Sequence, residues 1–352
     1  MMRSPNSYAA VVRRRTGALV VREEQMIDTR TGVRGYPLVR GVVTLVEALK
    51  LGSRCLRFSA DLYEQDLEEE EKESGRAQKP DAPKPPSTLA LLSMPIIALA
   101  TQDAQGAPDP KDDRGKKFFT LLSILFALAL FVALPQAFAE GTSRVFSLDL
   151  DVRSVGFQVL TGIAKLSIVV GYMMAIRRLP EIYRVFQYHG AEHKAIYTYE
   201  RGEELTLENA RSKTTLHPRC GTTFLVMVAL VSIVVFSAAG PLLPQIGLGK
   251  LADNVAFFLI KLPFLPVIAA ITFEMQRFLA RRSEGALRFL LAPGFLVQRI
   301  TTIEPEDSQM EVALAALRAT LRREVGETPL AETGEATFDG FDALASNTPA
   351  RA

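Results

Sequence analysis

The sequence predicts a mainly α, polytopic helical membrane protein of about four transmembrane helices, with a small N-terminal β-hairpin/helix region and a C-terminal cytoplasmic amphipathic helix. Three observations predict it. Four apolar runs approach the ~20 residues that a spanning helix needs. Lysine and arginine crowd the flanks on one side of these runs. The 48% hydrophobic content is concentrated in the runs rather than spread evenly, and a soluble core could hardly bury four of them.

Residues 1–61 read as an N-terminal cytoplasmic α/β region. The opening Met1-Met2-Arg3-Ser4-Pro5 lacks the apolar core of a signal peptide, so export or cleavage is not expected. Tyr8 to Val12 and Ala18 to Val21 alternate around Arg15-Thr16-Gly17, which predicts a β-hairpin. From Pro37 the residues Val42, Leu45, Val46, Leu49 and Leu56 recur at helical spacing, interrupted by Gly52. Cys55 near the end of that helix reads as a small buried hydrophobe.

Residues 62–117 change composition. Glu68-Glu69-Glu70-Glu71, followed by Pro80, Pro83, Pro85 and Pro86, predicts a disordered linker. The apolar run 89–100 inside it is too short to span and predicts an interfacial or packing helix.

The transmembrane domain is placed at 118–273, with spans at about 118–139, 155–176, 222–242 and 254–273. Lys111, Arg114, Lys116 and Lys117 precede the first span. Arg177, Arg178, Arg184, Lys194, Arg201, Arg211, Lys213 and Arg219 fill the loop 177–221. Arg277, Arg281, Arg282 and Arg288 follow the fourth span, whereas the other side offers only Arg144, Arg153 and Lys250. The positive-inside rule puts both termini and the loop in the cytoplasm of a bacterium, with the protein in its inner membrane. Lys165 and Lys261 lie within spans, where each costs a few kcal/mol (~3) unless partnered or snorkelling. Residues 274–325 form a C-terminal helical region. Ser308-Gln309-Met310-Glu311 reads as a capping box opening a helix that carries Met310, Leu314, Leu317 and Leu321 on one face. The tail 326–352 is polar and is expected to fray.

The 41 basic and 39 acidic residues nearly cancel, so the charge balance gives no warrant for a nucleic-acid partner. Cys55 and Cys220 are the only cysteines, so no disulfide framework is implied. All three histidines fall in the central loop. In His189-Gly190-Ala191-Glu192-His193 the imidazoles at i and i+4 share one helix face and can grip one metal ion, with Glu192 one turn from His189 as general base. This is the inverted zincin order. His217 and Cys220 precede the third span and Glu274 ends the fourth, so they are candidate ligands, with Glu203, Glu204 and Glu208 as further oxygen donors. The ion is a divalent metal, zinc foremost. Arg184 and Arg219 are alternatively suited to lipid phosphates.

The sequence resembles the YqhQ-like family of bacterial multispanning membrane proteins, a domain of unknown function often described as predicted metal-dependent enzymes. The likeness rests on Met1-Met2-Arg3-Ser4-Pro5, Arg40-Gly41-Val42-Val43, Phe186 to Lys194, Glu208-Asn209-Ala210-Arg211, Leu216 to Thr222, Phe273-Glu274, Pro293-Gly294 and Thr301 to Pro305. It implies a multispanning membrane protein with a metal site at His189, Glu192, His193, His217 and Cys220, and names no substrate. Relatives usually carry a glycine-rich stretch with Ile-Glu-Gly before the Met-Met-Arg block, so the natural start is expected upstream of Met1. The leading functional expectation is a metal-dependent hydrolase at the cytoplasmic membrane face. Its alternatives are a non-catalytic scaffold or assembly factor with a structural metal, or an ion or solute transporter. The expected partners are the bilayer and a protein bound through the N-terminal region or C-terminal helix.

Overall fold

In a computed structural model the described residues are 1–26, 32–73, 121–148 (apart from 123–124 and 127–128), 150–242, 250–282, 286–326 and 334–346. The apolar run 89–100 and the proline-rich stretch lie outside them. The predicted hairpin is present as β2 (Ser7–Arg13) and β3 (Leu19–Gln25), paired antiparallel with Val11 opposite Val21. Gly17 sits at φ +90° in the connecting turn, a left-handed conformation that a side chain would strain. β1 (Met2–Arg3) joins one edge and β4 (Glu335–Phe338) the other, giving the order β1-β2-β3-β4. The expected fraying tail is therefore partly ordered. β4 pairs with β3, and helix α11 (Phe341–Ser346), given this number because it comes last in the chain, buries Leu344 completely.

Both faces of the hairpin are covered, because period-two alternation sends neighbouring residues to opposite sides. Ala10 and Val20 meet Phe58 and Leu62 of α1 (Val39–Glu73), with Cys55 packed beside them as a small hydrophobe. Ala9, Val11, Leu19 and Val21 meet the apolar face of the C-terminal helix α10 (Asp307–Glu324), which includes Met310, Leu314 and Leu317. That helix opens at Glu306, earlier than the Ser308 pattern implies, and the Gln309 side chain accepts from the Glu306 backbone N–H at 2.9 Å.

Helix α1 corrects the linker boundary. It passes Gly52 without a break and continues through Glu73, roughly 52 Å in all at 1.5 Å per residue. The acidic run that reads as disorder is paired with the hairpin turn. Arg14 holds Asp66 at 2.5 Å and Glu69 at 3.1 Å, and Arg15 reaches Glu70. These partners are about fifty residues apart in sequence, beyond any local pattern.

The described part of the first apolar run is helical at 121–122 and 125–126, then a π turn (Ala129–Ala133) followed by α2 (Leu134–Val145), which extends past residue 139. The second run is α3 (Val155–Ile176), with the predicted bounds, capped where Ser154 accepts from the Phe157 N–H. The loop 177–221 is largely helical, as α4 (Pro180–Glu200) and α5 (Leu207–Arg211). The third run is α6 (Gly221–Ala239) with a short 3-10 turn to Leu242. The fourth is broken into α7 (Lys250–Lys261) and α8 (Phe264–Arg281), since Pro263 lacks an N–H and disfavours helix in the residue before it. A further helix, α9 (Ala292–Thr301), lies within the predicted C-terminal helical region, ahead of α10. Among the described residues, two helices are long and apolar enough to cross a membrane, Val155–Ile176 and Gly221–Leu242.

Candidate metal centre

Helix α4 begins with Pro180 in its first turn, where the missing N–H costs nothing, and it carries the His-Gly-Ala-Glu-His segment in its interior. His189 and His193 lie on one face with ring centroids 4.5 Å apart. Two non-helical segments run past this face, 302–303 after α9 and 214–217 before α6. Gly190 lets them approach: a Cβ there would lie 2.1 Å from the Ile303 carbonyl oxygen and 3.4 Å from Thr215 Cγ2. The Ile303 N–H donates to the Phe186 carbonyl at 3.0 Å and so fixes the first segment on the helix.

The close approach orients both imidazoles. His189 Nδ1 is 2.9 Å from the Thr301 carbonyl oxygen, and His193 Nδ1 bonds the Thr215 carbonyl oxygen. A carbonyl only accepts, so each Nδ1 carries a proton, and in the neutral form of each ring the lone pair is on Nε2. Backbone carbonyls orient metal-binding histidines in the same way. His189 Nε2 stands 3.1 Å from Cys220 Sγ.

Cys220 is the N-cap of α6, where its sulfur accepts from the Thr222 N–H at 3.4 Å and lies 3.0 Å from Thr222 Oγ1. The ligand atoms of His189, His193 and Cys220 all lie within 4.8 Å of one another. A tetrahedral zinc ion with bonds of about 2.0–2.3 Å separates its ligands by roughly 3.5 Å, so small side-chain adjustments would close three of these atoms on one ion. Burial raises the Cys220 thiol, yet the hydrogen bonds and charges of His189 and His193 outweigh it and bring the group down to about 5. Burial likewise opposes charge on His189, and its bond to Cys220 raises it on balance.

The other predicted residues are placed elsewhere. His217 is buried but spent: its Nε2 faces Glu200 at 3.2 Å and its Nδ1 accepts from the Arg219 N–H at 3.2 Å. Its ring braces His193 at a centroid separation of 5.6 Å. Glu200 is held below the usual carboxylate range by the His217 hydrogen bond, and Arg219 adds its charge at 2.9 Å. Glu192 points to the Met1 ammonium at 2.8 Å and borders a cleft of about 730 Å³ between the sheet, α1 and α4, which the three clustered ligands do not line. Glu274 forms a two-point ion pair with Arg40, at 2.6 and 2.5 Å, that fastens α1 to α8. Glu203 is taken by Lys213 at 2.5 Å.

Two glutamines escape the sequence reading. Gln298, fully buried, accepts from the His217 N–H at 2.8 Å and donates to the His217 carbonyl at 2.7 Å and to Thr223 Oγ1 at 2.5 Å. Gln276 donates to the Pro218 and Cys220 carbonyls at 3.0 and 3.1 Å. Together they clamp the segment that presents Cys220. Their signal in the sequence is an amide in otherwise apolar surroundings, Phe-Leu-Val-Gln at 295–298 and Phe-Glu-Met-Gln at 273–276.

A family profile described as protein of unknown function (DUF1385) matches residues 36–323. The chain is 31% identical over 301 residues to the uncharacterized protein YqhQ of Bacillus subtilis (strain 168), covering 83% of this chain and 79% of that relative. No solved structure matches.

Proposed function

The chain belongs to the YqhQ-like family described as protein of unknown function DUF1385, and from that footing we propose that it is a multi-pass bacterial inner-membrane protein holding a divalent metal ion, zinc foremost, between His189, His193 and Cys220. The observation that carries the metal reading is that His189, His193 and Cys220 bring their ligand atoms within 4.8 Å of one another, with each Nδ1 tied to a backbone carbonyl. Zinc on three protein ligands keeps a fourth position for substrate or solvent and acts there as a Lewis acid. Hydrolysis at the cytoplasmic membrane face is the reaction class that this chemistry suits. His217 bonds Glu200 and Arg219, which speaks against the closed four-ligand site of a purely structural metal. Glu192 would serve as base only by turning from the Met1 ammonium and the cleft it borders toward the cluster.

Membrane embedding is supported by the surfaces of the apolar helices. Only 17% and 22% of the spanning windows of α3 and α6 are buried, whereas the core helix of a soluble protein would be mostly covered. Val155, Ile163, Leu225 and Val234 are more than half exposed. Phe289 and Leu296 beside α9 extend the same apolar surface. The common sheet also constrains topology. β1 to β3 and β4 come from opposite ends of the chain and share one sheet, which supports a reading with both on one side of the membrane and an even number of spans between them. α10 packs on that sheet and on α4, and this supports placing the metal cluster on the same side.

Metal analysis of full-length protein purified without chelators tests the reading. About one equivalent in the wild type, lost in His193→Ala and Cys220→Ser, is the expected result. No bound metal in folded wild type would sink it. Glu192→Gln is expected to keep the metal and lose function in a complementation assay.

A second reading is favoured by the 3.1 Å contact between Cys220 and His189 at the N-terminus of α6, since a thiolate stabilised in this way is a nucleophile in its own right. It predicts that metal-free protein retains activity and loses it on Cys220 alkylation.

A further inference from the structure

At the opposite end of α6, 16 residues and roughly 24 Å from Cys220 at 1.5 Å per residue, a second polar cluster is enclosed by apolar helices. Its centre is Lys261, at the break between α7 and α8 and only 7% exposed. The ammonium donates to Gln158 Oε1 at 2.7 Å and lies 4.3 Å from the Phe257 ring centroid and 4.7 Å from that of Phe236. Gln158 is itself fixed, because its amide nitrogen donates to the Val152 carbonyl. Gln158, Thr161, Gly162 and Lys165 stand at i, i+3, i+4 and i+7, one face of α3. This face is turned to α6: a Cβ on Gly162 would lie 2.1 Å from Ile233 Cγ1, and Phe236 and Ser237 are the next turn of the same α6 face.

The cluster is rich in donors and poor in acceptors. A lysine ammonium has three N–H groups, and among the described residues Gln158 takes one. The hydroxyls of Thr161, 3% exposed, and Ser237 are buried without a hydrogen-bond partner. Lys165 stands on the same face of α3, one turn beyond Thr161. No carboxylate among the described residues pairs with Lys261. Two cations and two unpaired hydroxyls in a medium of low dielectric constant are costly without an opposite charge, and cation–π contacts repay about 1–2 kcal/mol each. We infer that this cluster binds a small monovalent anion, of which chloride is the representative, between α3, α6 and α7. The anion would accept from Lys261 and the Thr161 hydroxyl, with Lys165 supplying the second positive charge. The inference uses the membrane reading for its dielectric argument and is independent of the metal at the far end of α6.

Chloride NMR line width on full-length protein in detergent micelles tests it. Wild type is expected to broaden the line saturably, with bromide displacing the effect. Lys261→Met is expected to weaken binding at least about tenfold, the cost of one strong charge-assisted contact. Lys165→Met should weaken it less, and His193→Ala should leave it unchanged. Circular dichroism of the same samples reports folding, and metal content measured alongside keeps this outcome separate from the fate of the metal proposal. Absence of saturable broadening in folded wild type, or full broadening in a folded Lys261→Met, would overturn the inference.

Discussion

Single atoms decide the chemistry of the His/Cys cluster. Gly190 has no side chain, and for that reason the Ile303 carbonyl can lie where a Cβ would be. Gly190→Ala is therefore expected to push segment 301–303 off α4, to cost about 1–3 kcal/mol of stability or more as overpacking does, and to lower metal affinity because Thr301 no longer orients His189. Thermal melting and metal titration of the variant check both effects. Cys220 gives a pH prediction whose sign is set by its depressed pKa. The thiol loses its proton as pH rises through about 5, so the metal-free protein carries the thiolate at neutral pH. Cys55 is pushed upward by burial and stays protonated there. Ultraviolet thiolate absorbance of metal-free protein, with Cys220→Ser as the blank, should rise with a midpoint near 5, and a midpoint in the ordinary cysteine range would refute the assignment.

At the scale of elements, the ion pairs that join distant segments carry much of the arrangement. Arg40 and Glu274 fasten the start of α1 to α8, while Arg14 and Asp66 fasten its far half to the hairpin. Helix α1 thus bridges the sheet and the apolar helices, and Arg14→Ala should loosen the hairpin without touching the metal cluster. β4 and α11 cover the edge of β3 and bury Leu344, so truncation after Gly326 exposes a strand edge and an apolar pocket. A loss of roughly 2–4 kcal/mol is expected, by analogy with emptying a buried leucine site. Denaturant melts of the truncated chain measure it, and unchanged stability would mean that the strand contributes only pairing.

For the whole molecule, the strongest constraint is that chain ends and cluster share one sheet-centred body. Tags on the two termini are accordingly expected to be reachable from the same face, the cytoplasmic one, in sealed right-side-out and inverted vesicles. Labelling of the termini from opposite faces would contradict the four-stranded sheet. The basic flanks at Arg177, Arg178, Arg281 and Arg282 stand at the C-terminal ends of α3 and α8.

Two of the apolar runs, the hairpin and the histidine spacing were legible in the sequence, because each depends on neighbours within a few residues. Val155–Ile176 appears with its predicted bounds, and His189 and His193 share the helix face that their spacing implies. The ligand set was legible only in part. Which imidazole stays free depends on partners far along the chain: Thr301 and Thr215 liberate Nε2 of His189 and His193, whereas Glu200 and Arg219 occupy His217. Glu274 and the acidic end of α1 were misread for the same reason, since Arg40, Arg14 and Arg15 reach them across long sequence separations. The sequence by itself determined the elements and the kinds of chemistry on offer, through local periodicity and residue type. Tertiary structure alone decided which groups converge, because hydrogen bonds and charges act through space over a few ångströms and take no account of distance along the chain.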